Sequence, residues 1–355
     1  MVITRRILII LTLGLSACTS TPSVIEYDWT GKEVSCESKL MQSDSSLIGV
    51  AGLNMVGTDK VVLYVQGGDY CLNLYRVDGD SLIWQRNLMR RGHGPGEAMS
   101  PMVHYMPEFG KLCVFRNNMA STEGIYWQDS VGYPDGVAGM AWDIRQMPDE
   151  NPVRLILPVD TARFLADAPF GTEEMFGLYK YGKTEAVPIG LDYPEEMARH
   201  SFLMAAMALS GFVAKRPGSD KFVYSSQHGH FVRIFDIRDD RAVDIRTVYN
   251  EMPRFASDDM NGGIRFLDES QLGFWVFATE KYIYLLDAGM RIGEMRRGRR
   301  GERTVNVFDW DGRPVRKLRF DRDIGMFSVT PDDRFLYFNA TNPDSRVERI
   351  YRVAL

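Results

Sequence analysis

The chain has 355 residues, of which 45% are hydrophobic and 25% charged, enough apolar material for a full core and too much for a disordered chain. A formal net charge of −5 excludes a general nucleic-acid binder, which needs a basic field. Aromatics at 12% together with 32 Gly favour many short strands and tight turns over long helices.

The N-terminus reads as an address. Arg5 and Arg6 precede the apolar run Ile7 to Leu15, which ends in Leu15-Ser16-Ala17-Cys18. The run is too short to span a bilayer, which takes about 20 apolar residues, and has the length of a secretory signal core. The small-small-Cys ending resembles the lipobox of bacterial lipoproteins, in which the Cys becomes the acylated first residue. The expected organisation is a signal peptide over 1–17, a tether over 18–23 lipidated at Cys18, and one domain over 24–355. The expected location is the cell envelope, lipid-anchored, most simply at the outer membrane. Cys36, Cys71 and Cys113 remain. Three cannot all pair, no CxxC is present, and Cys71 and Cys113 sit in apolar strand-like runs, as small buried hydrophobes do.

A short strand recurs six times along the chain. The copies are Leu74-Tyr75, Ile125-Tyr126, Leu178-Tyr179, Ile234-Phe235, Val307-Phe308 and Ile350-Tyr351, each an aliphatic–aromatic pair inside a β-rich run. Subtracting first positions gives spacings of 51, 53, 56, 73 and 43. In YRVDGDSLIWQRNL (75–88) and VFDWDGRPVRKLRF (307–320), Asp-Gly joins the copy to a following strand, a hairpin signal because both residues tolerate positive φ. FDIRDDRAVDIRTV (235–248) has the same outline without the Gly. A strand precedes most copies: VVLYV (61–65), KLCVF (111–115), KFVYSS (221–226), LGFWVFA (272–278) and RFLYFNA (334–340), with FLADA (164–168) filling that role for the third. A period near 50 with three or four antiparallel strands per unit predicts an all-β, six-bladed β-propeller. The sixth copy runs to Leu355 without a fourth strand, and a ring must close or leave an open edge. The segment from Val24 to Met41 is expected to supply that outer strand. One short helix insertion is predicted over 194–211, opened by Pro194 with Glu195 and Glu196 in its first turn and stopped by Gly211.

Several stretches invite chemistry. Residues 177–184, GLYKYGKT, match G-x-x-x-x-G-K-T. A phosphate loop needs a strand before it and a helix after it, whereas Leu178 to Tyr181 are strand residues and Glu185-Ala186-Val187-Pro188 reads as another strand. The stretch is therefore a hairpin, and no nucleotide or other cofactor is expected. RRGHGPGE (90–97) has the glycines of an anion-binding nest but sits where a tight inter-blade connection belongs. His228-Gly229-His230 falls between two strands and lacks a third ligand, so no metal is expected. Asp236, Asp287 and Asp309 are acidic candidates by strand position only, and neither G-x-S-x-G nor H-E-x-x-H occurs. The densest charge run lies in the longest interval: between Arg291 and Arg303 there are six Arg and two Glu, a local net of +4. Arg296, Arg297, Arg299 and Arg300 are the candidate ligand-binding residues, for an anionic ligand or an envelope protein, and the alternative is a solvated loop paired with the acidic stretch 250–263.

The GPGE segment after the first unit, the closing VFDWDGRPV, the strand RFLYFNA and the ending IYRVAL together resemble six-bladed propeller lipoproteins of Bacteroides-type bacteria, a TolB-like or NHL-like group. The resemblance covers most of the chain after Cys18 and implies fold and location without assigning any catalytic residue. The expected function is a lipid-anchored binding or scaffold module of the envelope, with no catalytic residues. The alternative is a metal-dependent hydrolase or lactonase with its site in the central channel, and a third reading is a structural subunit of an envelope complex.

Overall fold

The computed structural model describes residues 25–43, 49–94, 97–118, 121–129, 140–143, 156–167, 173–180, 183, 185–258, 263–299, 301–341 and 347–355. The expected signal peptide over 1–17, Cys18 and the expected tether lie outside the described residues, as does Arg300.

Three short strands come first, β1 (Glu33–Cys36), β2 (Lys39–Leu40) and β3 (Gln42–Ser43). Five antiparallel units of four consecutive strands follow. Blade one holds β4 (Val50–Val56), β5 (Lys60–Val65), β6 (Tyr70–Asp78) and β7 (Ser81–Arg90). Blade two holds β8 (Ser100–Met106), β9 (Lys111–Asn118), β10 (Ser121–Asp129) and β11 (Met140–Asp143). Blade three is made of β12 (Ile156–Pro158), β13 (Arg163–Asp167), β14 (Phe176–Lys180) and β15 (Val187–Pro188), and is followed by helices α1 (Glu195–Ala198) and α2 (Phe202–Ala208). Blade four comprises β16 (Gly211–Lys215), β17 (Lys221–Ser226), β18 (His230–Arg238) and β19 (Arg241–Glu251). A separate hairpin, β20 (Phe255–Asp258) with β21 (Gly263–Phe266), leads to blade five: β22 (Phe274–Ala278), β23 (Tyr282–Asp287), then helix α3 (Ile292–Arg296), β24 (Thr304–Asp309) and β25 (Pro314–Phe320). Blade six has β26 (Phe327–Val329), β27 (Phe335–Thr341) and β28 (Glu348–Ala354), with β2 antiparallel on its outer edge.

The recurring aliphatic–aromatic pair marks the third strand of every blade, and packing explains why. Both faces of a blade are covered by neighbouring blades, so consecutive side chains on its strands point into two different cores. In the five copies whose side chains are described, the aliphatic residue faces the next blade and the aromatic residue faces the previous one. Leu74 packs toward blade two and Tyr75 toward blade six. Leu178 and Tyr179, Ile234 and Phe235, Val307 and Phe308, and Ile350 and Tyr351 follow the same rule. The six apolar clusters correspond one to one with the six blade interfaces, including that between blades six and one, so the ring is closed.

The hairpin turns differ in how they reach positive φ. Gly79 (φ 58°) and Gly312 (φ 75°) do it in the Asp-Gly turns, whereas blade four uses Asp239 (φ 50°) and Asp240 (φ 59°). Asp tolerates this region through local hydrogen bonding, and Asp240 is further held by Arg163 at 3.0 Å and Lys180 at 3.3 Å from blade three.

The N-terminal closure reaches further than one strand. β2 completes blade six through only two residue pairs, while β1 runs parallel to β25 as a fifth strand of blade five and β3 runs parallel to β7 as a fifth strand of blade one. Ahead of β1, Tyr27 and Trp29 pack on Phe308, and Tyr27 on Tyr249, at the seam of blades four and five. The segment is a strap over four consecutive blades.

Two local expectations change. The helix predicted over 194–211 is two short helices, because Ser201 turns extended and its hydroxyl caps α2 by accepting from the Met204 N–H at 3.4 Å. Gly211 is the first residue of β16 rather than a helix stop; a Cβ there would lie 2.1 Å from the Ser225 carbonyl. In blade five the strand directly before the repeat is β23, and LGFWVFA, expected from the sequence as the preceding strand, is the first strand of the blade. The 73-residue interval is long because it carries two insertions, the β20–β21 hairpin and α3.

Candidate functional site

The first strands of the blades surround a central channel. Residues of β4, β8, β12, β16, β22 and β26 line a cavity of about 360 Å³. Its side chains are chiefly apolar and aromatic: Met102, Phe212, Trp275, Phe277 and Met326 are all partly exposed along it. Phe212 and Trp275 lie 4.1 Å apart at 50°. Polar groups are few. Asn54 and His104 line the wall, and the His104 Nε2 is buried with no partner. Burial pushes the His104 imidazole down to about 4, so it is neutral at physiological pH.

One charged pair sits at the end of the channel where first strands turn into second strands. Lys215 at the end of β16 donates to Glu108 at 2.7 Å and to the Val159 carbonyl at 2.6 Å. The two side chains are only 8% and 18% exposed. This bond joins blades four, two and three. Among the described lining residues Glu108 is the one carboxylate, and it is paired with Lys215. Asp236, Asp287 and Asp309 do not line the cavity. Asp236 pairs with Lys221 and Arg238, Asp287 accepts from the Gly289 N–H, and Asp309 holds its own turn by accepting from the N–H groups of Asp311 and Arg313.

The other sequence candidates fall elsewhere. The start of the G-x-x-x-x-G-K-T stretch is the strand β14, buried from Phe176 through Tyr179, and the next element after it is the strand β15. Tyr181, Gly182 and Thr184 lie outside the described residues. In RRGHGPGE the glycine turn is filled by the chain's own carboxylate, since Glu97 accepts from the Gly94 N–H at 3.0 Å. Arg91 donates to the carbonyls of Val65, Gly68 and Met99. His228 and His230 diverge from a turn at Gly229: His228 stacks on Phe266 at 3.8 Å and His230 on Phe274 at 4.4 Å. Among the described residues no three His, Cys, Asp or Glu side chains come together as a metal site. Cys36, Cys71 and Cys113 are buried and unpaired, and burial pushes the Cys71 thiol up to about 11.

The arginine-rich segment is part of a cap. α2 packs on β21, and His200 meets Phe255 at 4.8 Å. Arg296 on α3 donates to Asp268 at 2.6 Å and to the Phe266 carbonyl at 3.1 Å, tying α3 to the hairpin. Arg297 lies 3.7 Å from Asp268, and Arg299 lies 3.8 Å from Glu294. Arg297 and Arg299 still leave 57% and 67% of their side chains exposed.

Sequence reasoning missed the channel-lining set of Asn54, His104, Phe212, Trp275 and Phe277. A signal for it existed: every first strand is followed by a short turn carrying an acid and then a base at the head of the second strand. The six bases are Lys60, Lys111, Arg163, Lys221, Lys281 and Arg334. Counting back from them locates the channel wall.

Comparison with curated proteins finds no match. A TolB-like 6-blade propeller-like family matches residues 62–332, from β5 of blade one to the first turn of blade six, leaving the strap outside. The matched stretch covers most of the ring, and its blade count agrees with the six blades and six interfaces described above. With a fold suited to a binding or scaffold module, the chain belongs to the TolB-like six-bladed propeller family.

Proposed function

We propose that this protein is a lipid-anchored binding module of the cell envelope, tethered through Cys18, which takes its ligand in the central channel. The observation that carries the binding reading is the channel lining: an aromatic and methionine-rich wall whose single carboxylate is engaged by Lys215. A metal-dependent hydrolase of the channel type needs converging carboxylates, and among the described residues of the wall the carboxylate is Glu108, paired with Lys215. The envelope association general to TolB-like proteins agrees with the signal segment and the small-small-Cys junction. Thr19 to Ser23 span at most about 18 Å when extended, which keeps the propeller close to the bilayer. Replacing Cys18 with Ser is expected to abolish acyl-chain labelling and release the protein from membranes; unchanged labelling would end the anchoring proposal. Calcium-dependent hydrolysis of esters or lactones by the purified protein would replace binding with the hydrolase reading.

Arg296, Arg297, Arg299 and Arg300 are proposed as a second contact, for an anionic partner. The exposure of Arg297 and Arg299 supports it, whereas Arg296 is committed to Asp268. Reversing Arg297, Arg299 and Arg300 to Glu is expected to weaken salt-sensitive association with envelope proteins while leaving the fold intact. A pull-down unchanged by that reversal would remove the second contact.

A further inference from the structure

The wall of the channel restricts what can enter it. A volume of about 360 Å³ lies at the small end of the ~300–1,000 Å³ common for ligand pockets. Phe212 and Trp275 meet at an angle, with Phe277 two residues along the same strand as Trp275, so the apolar surface is faceted rather than flat. Met102 and Met326 complete it with side chains that adapt to an occupant's outline.

Charge is unavailable to a ligand here. Lys215 and Glu108 satisfy one another, and Lys215 has a second bond to the Val159 carbonyl. The buried imidazole of His104 is neutral. An ionic ligand would lose its hydration without gaining a counter-charge, a cost that such a wall does not return. Asn54 is different. It is a partly exposed lining residue whose side chain has no hydrogen-bond partner among the described residues, so its amide offers both a donor and an acceptor.

We propose that the channel takes one uncharged, ring-containing small molecule, packed on Phe212, Trp275 and Phe277 and oriented by a hydrogen bond to the Asn54 side chain. This rests on the channel being the ligand site, and the test separates the two statements. N-phenyl-1-naphthylamine and 8-anilino-1-naphthalenesulfonate share one skeleton and differ by a sulfonate. In fluorescence titrations of the purified full chain, the neutral probe is expected to bind saturably at one site, and the sulfonate at least about tenfold more weakly. Trp275→Leu and Phe212→Leu, which keep apolar contact and are made separately so that each controls for the folding of the other, should each weaken the neutral probe by roughly tenfold. In competition, 1-naphthol should displace the probe better than naphthalene, and Asn54→Ala should erase that preference. Equal affinity for the two probes, both sensitive to Trp275, would leave the channel as the site and overturn the uncharged class, as would displacement by trimethylphenylammonium through its cation on the ring faces. Absence of saturable binding, or binding indifferent to both wall variants, would overturn the channel itself.

Discussion

The inner wall and the outer rim of this propeller join the same blades by different means. Behind the wall, buried polar side chains cross from blade to blade. Asp333 of blade six accepts from Thr279 and Tyr284 of blade five at 2.7 and 2.9 Å. Ser328 accepts the Met55 N–H at 3.0 Å, and Asn339 donates to the Val50 carbonyl at 2.8 Å, both joining blade six to blade one. At the rim, the strap is held by strands of two to four residues and by exposed ion pairs. The difference is one of dielectric. A buried bond leaves an unsatisfied partner behind when broken, so each one matters singly. Exposed pairs contribute little one by one, and the rim depends on the strap as a continuous piece.

The largest effect is therefore expected from removing the strap entire. Deleting residues 25–43 uncovers the edges of β25, β28 and β7 and the sites of Tyr27, Trp29, Cys36 and Met41. Burying one large apolar side chain is worth ~1.5–3 kcal/mol, against a typical total of ~5–15 kcal/mol. The melting temperature should fall by about 10 °C or more, and the open edges should promote aggregation. A deletion that melts like the full chain would mean that the apolar blade interfaces close the ring unaided.

A mid-sized effect belongs to the wall. Asp333 is 9% exposed and sits at φ 58°. Burial first, and then the neighbouring Asp333 charge, hold the Tyr284 hydroxyl well above its usual range, so it stays a donor. Asp333→Ala removes the shared acceptor of two buried hydroxyls and puts a non-polar residue in the left-handed region, at an expected cost of ~2–3 kcal/mol by denaturant unfolding. Asp333→Asn keeps an acceptor and tolerates that backbone, and should cost less than half as much. Equal losses in the two variants would show that the carboxylate charge, not hydrogen bonding, joins blades five and six.

The third strands were legible in the sequence because each must face two cores, which forces an aliphatic beside an aromatic at Leu74-Tyr75, Val307-Phe308 and their equivalents. Closure by the N-terminal segment was legible because the sixth repeat lacked an outer strand. The strap's passage over blades five and one was not, since Glu33–Cys36 and Gln42–Ser43 pair in parallel through residues that are mostly exposed, and such pairing leaves no alternating pattern. The channel was hidden for a related reason. Phe212, Trp275 and Phe277 look like any other strand aromatics until the ring order makes their strands innermost. The arginine-rich run was visible as charge, but its ties to Asp268 and Glu294 depend on a hairpin and a helix turn that charge counting does not place.

The smallest expected effect tests how the rim is fastened. Arg319 grips Glu33 on β1 through two bonds, at 3.0 and 3.1 Å. Asp80, in the β6–β7 turn of blade one, binds Lys39 of the strap and Arg352 of blade six, the latter at 2.7 Å. The Arg319 hydrogen bond holds the Glu33 carboxyl below its ordinary 4.5, and the Lys39 hydrogen bond holds Asp80 below its ordinary 3.8. A depressed carboxyl contributes stability that is fully present above its ordinary value and is lost as pH falls through its lower value in the folded protein. Acid should thus loosen the strap before it unfolds the blades, beginning near pH 4.5 and deepening below 3.8. Measured against the intrinsic exchange rate at each pH, the protection of the amides over Val34 to Cys36 and over Lys39 to Leu40 should fall across that window while the amides of β5 and β27 stay protected. The double variant Glu33→Gln, Asp80→Asn should show the lower strap protection already at neutral pH and little further change in acid. If strap protection instead stays constant down to pH 3 in the parent chain, the ion pairs are decoration and Tyr27, Trp29 and Met41 hold the rim by burial alone.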